Sequence, residues 1–196
     1  MKFEAKDYTH LIGIKGLSEQ LLKNHFILYN GYVTNTNKLL DILTSMLKEG
    51  KTGTPEYSEL QRRFGWEFNG MRLHELYFSN LTKDNKKFNT NSKLSKEITK
   101  IYGNYENWEK NFKVVGAMRG IGWAILVYDP QSKELFNIWI NEHDMGHLAG
   151  GIPLLIMDVF EHAFMIDYGT NRIDYIKTFF ENIDWEEIEK RYENHA

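Results

Sequence analysis

The chain has 196 residues, 42% of them hydrophobic and 14% aromatic, enough to build a real core in one large domain or two small ones. Its formal net charge of −3, with an isoelectric point near 6.2, argues against a general nucleic-acid binder, although it leaves room for local basic patches. There is no cysteine, so disulfides and thiolate metal sites are excluded and any metal must be held by nitrogen and oxygen.

The lack of cysteine fits a reducing compartment. The opening residues Met1–Asp7 lack the apolar core of a signal peptide. No stretch reaches the length of a membrane-spanning helix. The expectation is a soluble, cytoplasmic protein with neither a nucleic-acid nor a membrane partner.

Residues 1–16 read as irregular, punctuated by Gly13 and Gly16. Ser18 is the expected N-cap of a long amphipathic helix from Glu19 to about Lys48, with a bend expected near Gly31. Gly50–Pro55 breaks it. A second helix is expected from about Ser58 to Asn80, kinked near Gly65 or Gly70. Two helices joined by a short turn make an antiparallel hairpin. Residues 82–93, rich in Lys and Asn, read as a linker.

Helical patterns follow over Leu94–Tyr102 and Tyr105–Met118. Trp123–Tyr128 and Leu135–Ile140 flank the turn Asp129–Ser132 and predict a β-hairpin. After a loop rich in Gly and His, the apolar run Ile152–Met157 reads as a buried strand. Helices over Arg172–Glu181 and Trp185–Glu193 close the chain. The expected fold is α+β: an N-terminal antiparallel helical hairpin (1–81), the linker 82–93, and a C-terminal domain (94–196) with a small antiparallel three-stranded sheet and helices.

The chemistry gathers where that third strand ends. Asp158 and His162 are a carboxylate and an imidazole at the edge of a core, a costly placement unless each has a partner. A metal ion satisfies both at once; so does a direct Asp–His hydrogen bond. His10 and His195 lie near the termini and read as solvated. His25 shares its helix stripe with apolar residues and faces inward, and His74 sits between Leu73 and Leu76. A lone inward histidine is ordinarily a hydrogen-bonded core residue. Two on adjacent helices, beside an Asp–His pair, would supply three imidazoles and a carboxylate. That set suits zinc, iron or manganese.

Several segments together resemble a known family. Asp158-Val159-Phe160-Glu161-His162-Ala163 is similar to the Asp-x-Trp-Glu-His-Ala signature of the iron/manganese superoxide dismutases. Gly120-Ile121-Gly122-Trp123 resembles that family's Gly-Ser-Gly-Trp. His74–Phe78, the first-helix stretch from His25 to Asn35, and Asp167–Tyr175 also match its pattern, in its order, over nearly the whole chain.

The resemblance implies dismutation of superoxide at one iron or manganese ion per subunit, with iron or use of either metal favoured. His25, His74, Asp158 and His162 would be the ligands, with a solvent molecule as a fifth. Tyr32 would stand at the mouth of the substrate funnel and Trp123 would wall the pocket. Glu161 would reach across a homodimer or homotetramer interface to His162 of the partner subunit, with Tyr175 nearby. The alternative is a metal-binding member of the family that has lost dismutase activity.

The chain departs from the pattern in three places. The interval from His25 to Tyr32 is one residue shorter than usual, a slip worth about 100° of helix rotation; a helix without the family's inserted bulge would absorb it. Tyr29 would fill part of the space left by a missing histidine pair. Phe160 replaces the usual tryptophan, which keeps an apolar wall and loses an indole donor. The glutamine that bonds the metal-bound solvent has no match, and His143 is the candidate for its role, with His147 the runner-up. No His-Glu-x-x-His motif supports a zinc hydrolase. A metal-free helical interaction module is the rival of a different class.

Overall fold

The computed structural model describes residues 2–84 and 86–196. Met1, and Asn85 within the expected linker, lie outside the described residues.

Helix α1 spans Glu19–Lys48 and α2 spans Pro55–Ser79. Ser18 caps α1, its hydroxyl accepting from the Leu21 N–H at 3.1 Å. The helix stays α-helical through Gly31, with no inserted bulge. Its inward stripe includes His25, Tyr29, Val33 and Thr36, the spacing of one helical face. Helix α2 starts three residues before the expected Ser58. Pro55, read from sequence as a breaker, occupies the first turn, where its missing N–H costs nothing, and Thr54 caps it.

The second half contains α3 (Lys93–Tyr102), α4 (Tyr105–Gly116), β1 (Gly122–Asp129), β2 (Glu134–Asn141), β3 (Ile152–Asp158), a one-turn α5 (Met165–Tyr168), α6 (Arg172–Glu181) and α7 (Trp185–Glu193). The strands form an antiparallel sheet in the order β2-β1-β3. Strand β1 is central and buried along nearly its whole length, as its unbroken apolar sequence requires. Strand β3 lies at an edge, which is why it tolerates Pro153. Short 3-10 turns at Thr9–Leu11 and Glu161–Ala163 carry no period visible in the sequence.

The segment read as a linker is tied down. The Thr82 N–H donates to the Asn182 carbonyl at 2.9 Å. Lys86 pairs with Asp184 and Glu186, and Phe88 packs on Tyr105 and Trp185. One apolar cluster runs from the hairpin through the sheet to α6 and α7. Arg191 reaches between them, donating to the carbonyls of Leu76 in α2 and Leu154 in β3. It thereby fixes α2, which carries His74, against the strand that ends in Asp158. Among the described residues, no helix is long and apolar enough to cross a membrane.

Candidate metal centre

Trp123, the second residue of β1, pairs in register with Asp158, the last residue of β3. The two motifs thus meet across one rung of the sheet. Gly122 has φ +147, and a side chain there would collide with the Ile140 carbonyl oxygen. The tight strand entry therefore demands glycine. Asp158 is fully buried. Its Oδ1 accepts from the Phe160 N–H at 2.8 Å, which turns Oδ2 toward the hairpin.

Three imidazoles surround that oxygen. His25 Nε2 and His162 Nε2 each lie 3.1 Å from Asp158 Oδ2, and His74 Nε2 lies 3.7 Å away. Four donor atoms, one per residue, fall within 4.8 Å of one another. Donors about 2.1 Å from a shared ion stand roughly 3.0 Å apart at a right angle and roughly 3.6 Å apart at 120°. The three separations from Asp158 Oδ2 match that spacing.

The hydrogen-bond pattern supplies a second test of fit. His74 Nδ1–H donates to the Gly70 carbonyl at 2.6 Å, so its Nε2 presents a lone pair to the cluster. That Nε2 is buried and has no protein partner. An orphaned acceptor aimed among three other ligand atoms is what a cation would satisfy. His25 Nδ1 is also buried without a partner, and nothing in the surrounding fold accounts for it.

Electrostatics favour a cation in the same place. Burial alone would raise the Asp158 carboxyl, but the His162 and His25 imidazoles outweigh it and hold the group well below the usual carboxylate range. Burial lowers His25, and lowers His74 further with His25 beside it. In the metal-free chain His25 and His74 therefore tend toward neutral imidazoles beside one carboxylate.

A second layer lies over the cluster. The Tyr32 ring stacks on His74 with centroids 5.1 Å apart. The seven-residue spacing thus brings both His25 and Tyr32 to the centre on a regular helix. A side chain on Gly70 would come within 2.5 Å of the Tyr32 ring, so glycine makes that seat. Tyr29 is buried, its ring centroid 6.4 Å from that of His74, and donates to Glu75 Oε1 at 3.1 Å. Phe160 stacks on both His143 and His162.

His143 is fully buried, whereas His147 is exposed. Trp123 Nε1–H donates to His143 Nδ1 at 3.0 Å. Indole nitrogen can only donate, so neutral His143 carries its proton on Nε2 and gives it to the Tyr32 hydroxyl oxygen at 2.7 Å. Burial drops His143 to about 4, which keeps it neutral at pH 7. Burial pushes the Tyr32 hydroxyl upward, which keeps its proton. The chain Trp123→His143→Tyr32 leaves that proton free to point elsewhere. His147 acts from outside, donating through Nε2 to the His143 carbonyl at 2.9 Å.

Two residues expected at a subunit interface differ sharply. Glu161 is exposed in the single chain. Tyr175 is fully buried, its hydroxyl donating to the Asp158 carbonyl at 2.7 Å and lying 3.2 Å from the Tyr77 hydroxyl. In the single chain it offers no exposed surface. Its place in the first inward turn of α6 directs it into the core beneath the cluster. Sequence reasoning gave no site role to Gly70, named only as a kink, or to Trp66 and Glu142. An Asn-Gly pair inside a helical pattern was the only available signal for the first of these.

A helical hairpin laid against a three-stranded antiparallel sheet, with three imidazoles and one carboxylate closing on a point between them, defines a protein with a mononuclear metal centre. Residues 90–191 match the family described as iron/manganese superoxide dismutases, C-terminal domain. A manganese superoxide dismutase of Haloferax volcanii is 34% identical over 178 residues, covering 90% of this chain and 87% of its own. An iron superoxide dismutase of Aquifex pyrophilus is 33% identical over 197 residues, covering 98% and 92%. One from Cupriavidus metallidurans, also named for iron, is 33% identical over 185 residues, covering 91% and 90%. The chain belongs to the iron/manganese superoxide dismutase family.

Proposed function

We propose that this chain disproportionates superoxide at a single iron or manganese ion held by His25, His74, Asp158 and His162. The observation that carries the reading is the buried, unpartnered His74 Nε2 facing three further donor atoms. The ion supplies a one-electron couple through which one superoxide becomes dioxygen and a second, with two protons, becomes hydrogen peroxide. Asp158 offsets part of the ion's charge, and Tyr175 holds the backbone that presents it.

Tyr32 is a hydroxyl donor between the centre and a surface cleft, its ring stacked on His74. His143 takes up the hydroxyl's oxygen side, so the Tyr32 proton can be offered to a small anion. A surface cleft lined by Gly31, Tyr32, Arg63 and Trp66 supports entry along this side. Arg63 is its cation, lying 3.7 Å over the Trp66 ring and paired with Glu67 of the same cleft. Arg172 is spent on the Met118 and Gly120 carbonyls.

Iron, or either metal, is the proposed occupant. Support comes from a histidine rather than an amide over the centre, and from relatives named for each metal. A cytoplasmic homodimer or homotetramer is proposed as the working state. The exposed Glu161 beside the partly exposed His162 supports a contact with a second copy there. The test is superoxide consumption by protein of known metal content, after reconstitution with each metal, with mass measured in solution. Stoichiometric metal without dismutation would favour the alternative, a family member that binds metal and has lost the activity.

A further inference from the structure

Only two non-glycine residues among those described have a left-handed backbone. Lys133, φ +57, closes the exposed β1–β2 turn. Glu142, φ +49, immediately precedes His143 beside the candidate centre. Such a conformation is unfavourable for a side chain with a Cβ and persists where surrounding contacts impose it. Here the contacts can be named. The Glu142 N–H donates to the Ile121 carbonyl at 3.1 Å, and Asn141 and Met145 bond each other's backbones across the loop. The Glu142 carboxylate accepts from Trp66 Nε1–H at 2.9 Å. That last bond joins the β2–β3 loop to α2. Trp66 in turn meets the His143 ring edge-on, centroids 4.5 Å apart, and packs on Tyr32. Arg63 covers its outer face and is itself held by Glu67.

We infer that Glu142 is the positioning residue for His143: its hydrogen bond to Trp66 fixes the left-handed turn that delivers the imidazole to the Tyr32 hydroxyl. The carboxylate works as an acceptor, so its charge is dispensable and its oxygen is not. The consequence for turnover rests on the dismutase reading, whereas the placement of His143 does not.

The test compares Glu142→Ala, Glu142→Gln and Trp66→Phe with the parent enzyme, by crystal structure, metal content and superoxide turnover. In Glu142→Ala, His143 should leave hydrogen-bonding reach of Tyr32, and turnover should fall about tenfold with metal content unchanged, as loss of supporting contacts around a metal site does. Glu142→Gln, which keeps an acceptor oxygen, should retain both. Trp66→Phe, which keeps the ring and deletes the donor, should reproduce the alanine result and serves if that variant fails to fold. An alanine variant with His143 still on Tyr32, or a glutamine variant as impaired as the alanine one, overturns the assignment. A parent enzyme with no dismutase activity would refute the proposed function, while the crystal structures would still decide the placement.

Discussion

The cluster around Asp158 and the layer around His143 sit side by side and are built on opposite rules. In the cluster, donors outnumber protein partners: three imidazoles crowd one carboxylate oxygen, and His74 Nε2 has no partner. In the layer, the polar contacts pair off in sequence, Trp123 to His143 to Tyr32 and Trp66 to Glu142. The cluster draws on two helices, a strand end and the short 3-10 turn that carries His162. The layer ties α1, α2 and β1 to a loop with a strained residue. An incomplete donor set on a rigid frame is a place for a cation. A complete network on a loop can orient and tune without binding one.

That contrast can be broken most forcefully at the cluster. Asp158→Ala or His74→Ala should abolish metal retention and activity while helical content persists, read by elemental analysis and circular dichroism. Full metal content in either variant would remove the ligand assignment. In the adjoining layer, His143→Ala should keep the metal and lose about 10–100-fold in turnover, with a shifted midpoint potential. An unchanged potential would move the tuning role to His147 or to neither.

Acid should weaken the metal-free chain through this layer. His143 is held at about 4 by burial, against about 6.5 in an unfolded chain. Between those values the unfolded state binds more protons, so stability falls as pH drops from 6.5 toward 4. The loss from His143 alone is on the order of 3 kcal/mol. The lowered His25 and His74 act in the same direction. Urea titrations across that range would check it, and a flat profile would contradict a buried neutral His143.

The smallest effect sharpens the boundary between the two regions. Gly70→Ala must push against the Tyr32 ring, at a cost of about 1–3 kcal/mol for overpacking. It should lower turnover and leave the ligands loaded. Loss of metal in that variant would show that the two regions are not separable.

The fold was largely legible because its signals are local. Helix α1, both terminal helices and all three strands follow from spacing and caps, and Ser18 acts as read. Pro55 misled because one residue type both ends helices and begins them, and only the hydrogen-bond pattern distinguishes the two. Composition does not show how residues 82–93 are anchored, through Thr82, Lys86 and Phe88, to partners in α4 and around α7.

In the site, side-chain types and inward faces pointed to His25, His74, Asp158 and His162. A register argument kept Tyr32 on the face of His25. The preference for His143 over His147 came from the resemblance, since two histidines four apart in a loop have no period to separate them; the burial of His143 and its bond to Tyr32 needed three dimensions. Tyr175 was placed near an interface by the resemblance alone, and only the tertiary structure shows α6 turning it into the core beneath Asp158.

What the amino-acid order determined by itself is the set of elements and the inventory of ligands, because periodicity, capping and the absence of cysteine act within a few residues or on the chain as a whole. What only the tertiary structure decided is where the chemistry closes. Residues as distant as His25 and His162 converge because β1 pairs Trp123 with Asp158 and the helical hairpin buries its apolar face against that sheet. The left-handed turn at Glu142 likewise exists because Trp66, on another element, holds its carboxylate. Contacts between remote segments carry no local pattern, and here they set the geometry on which the reaction depends.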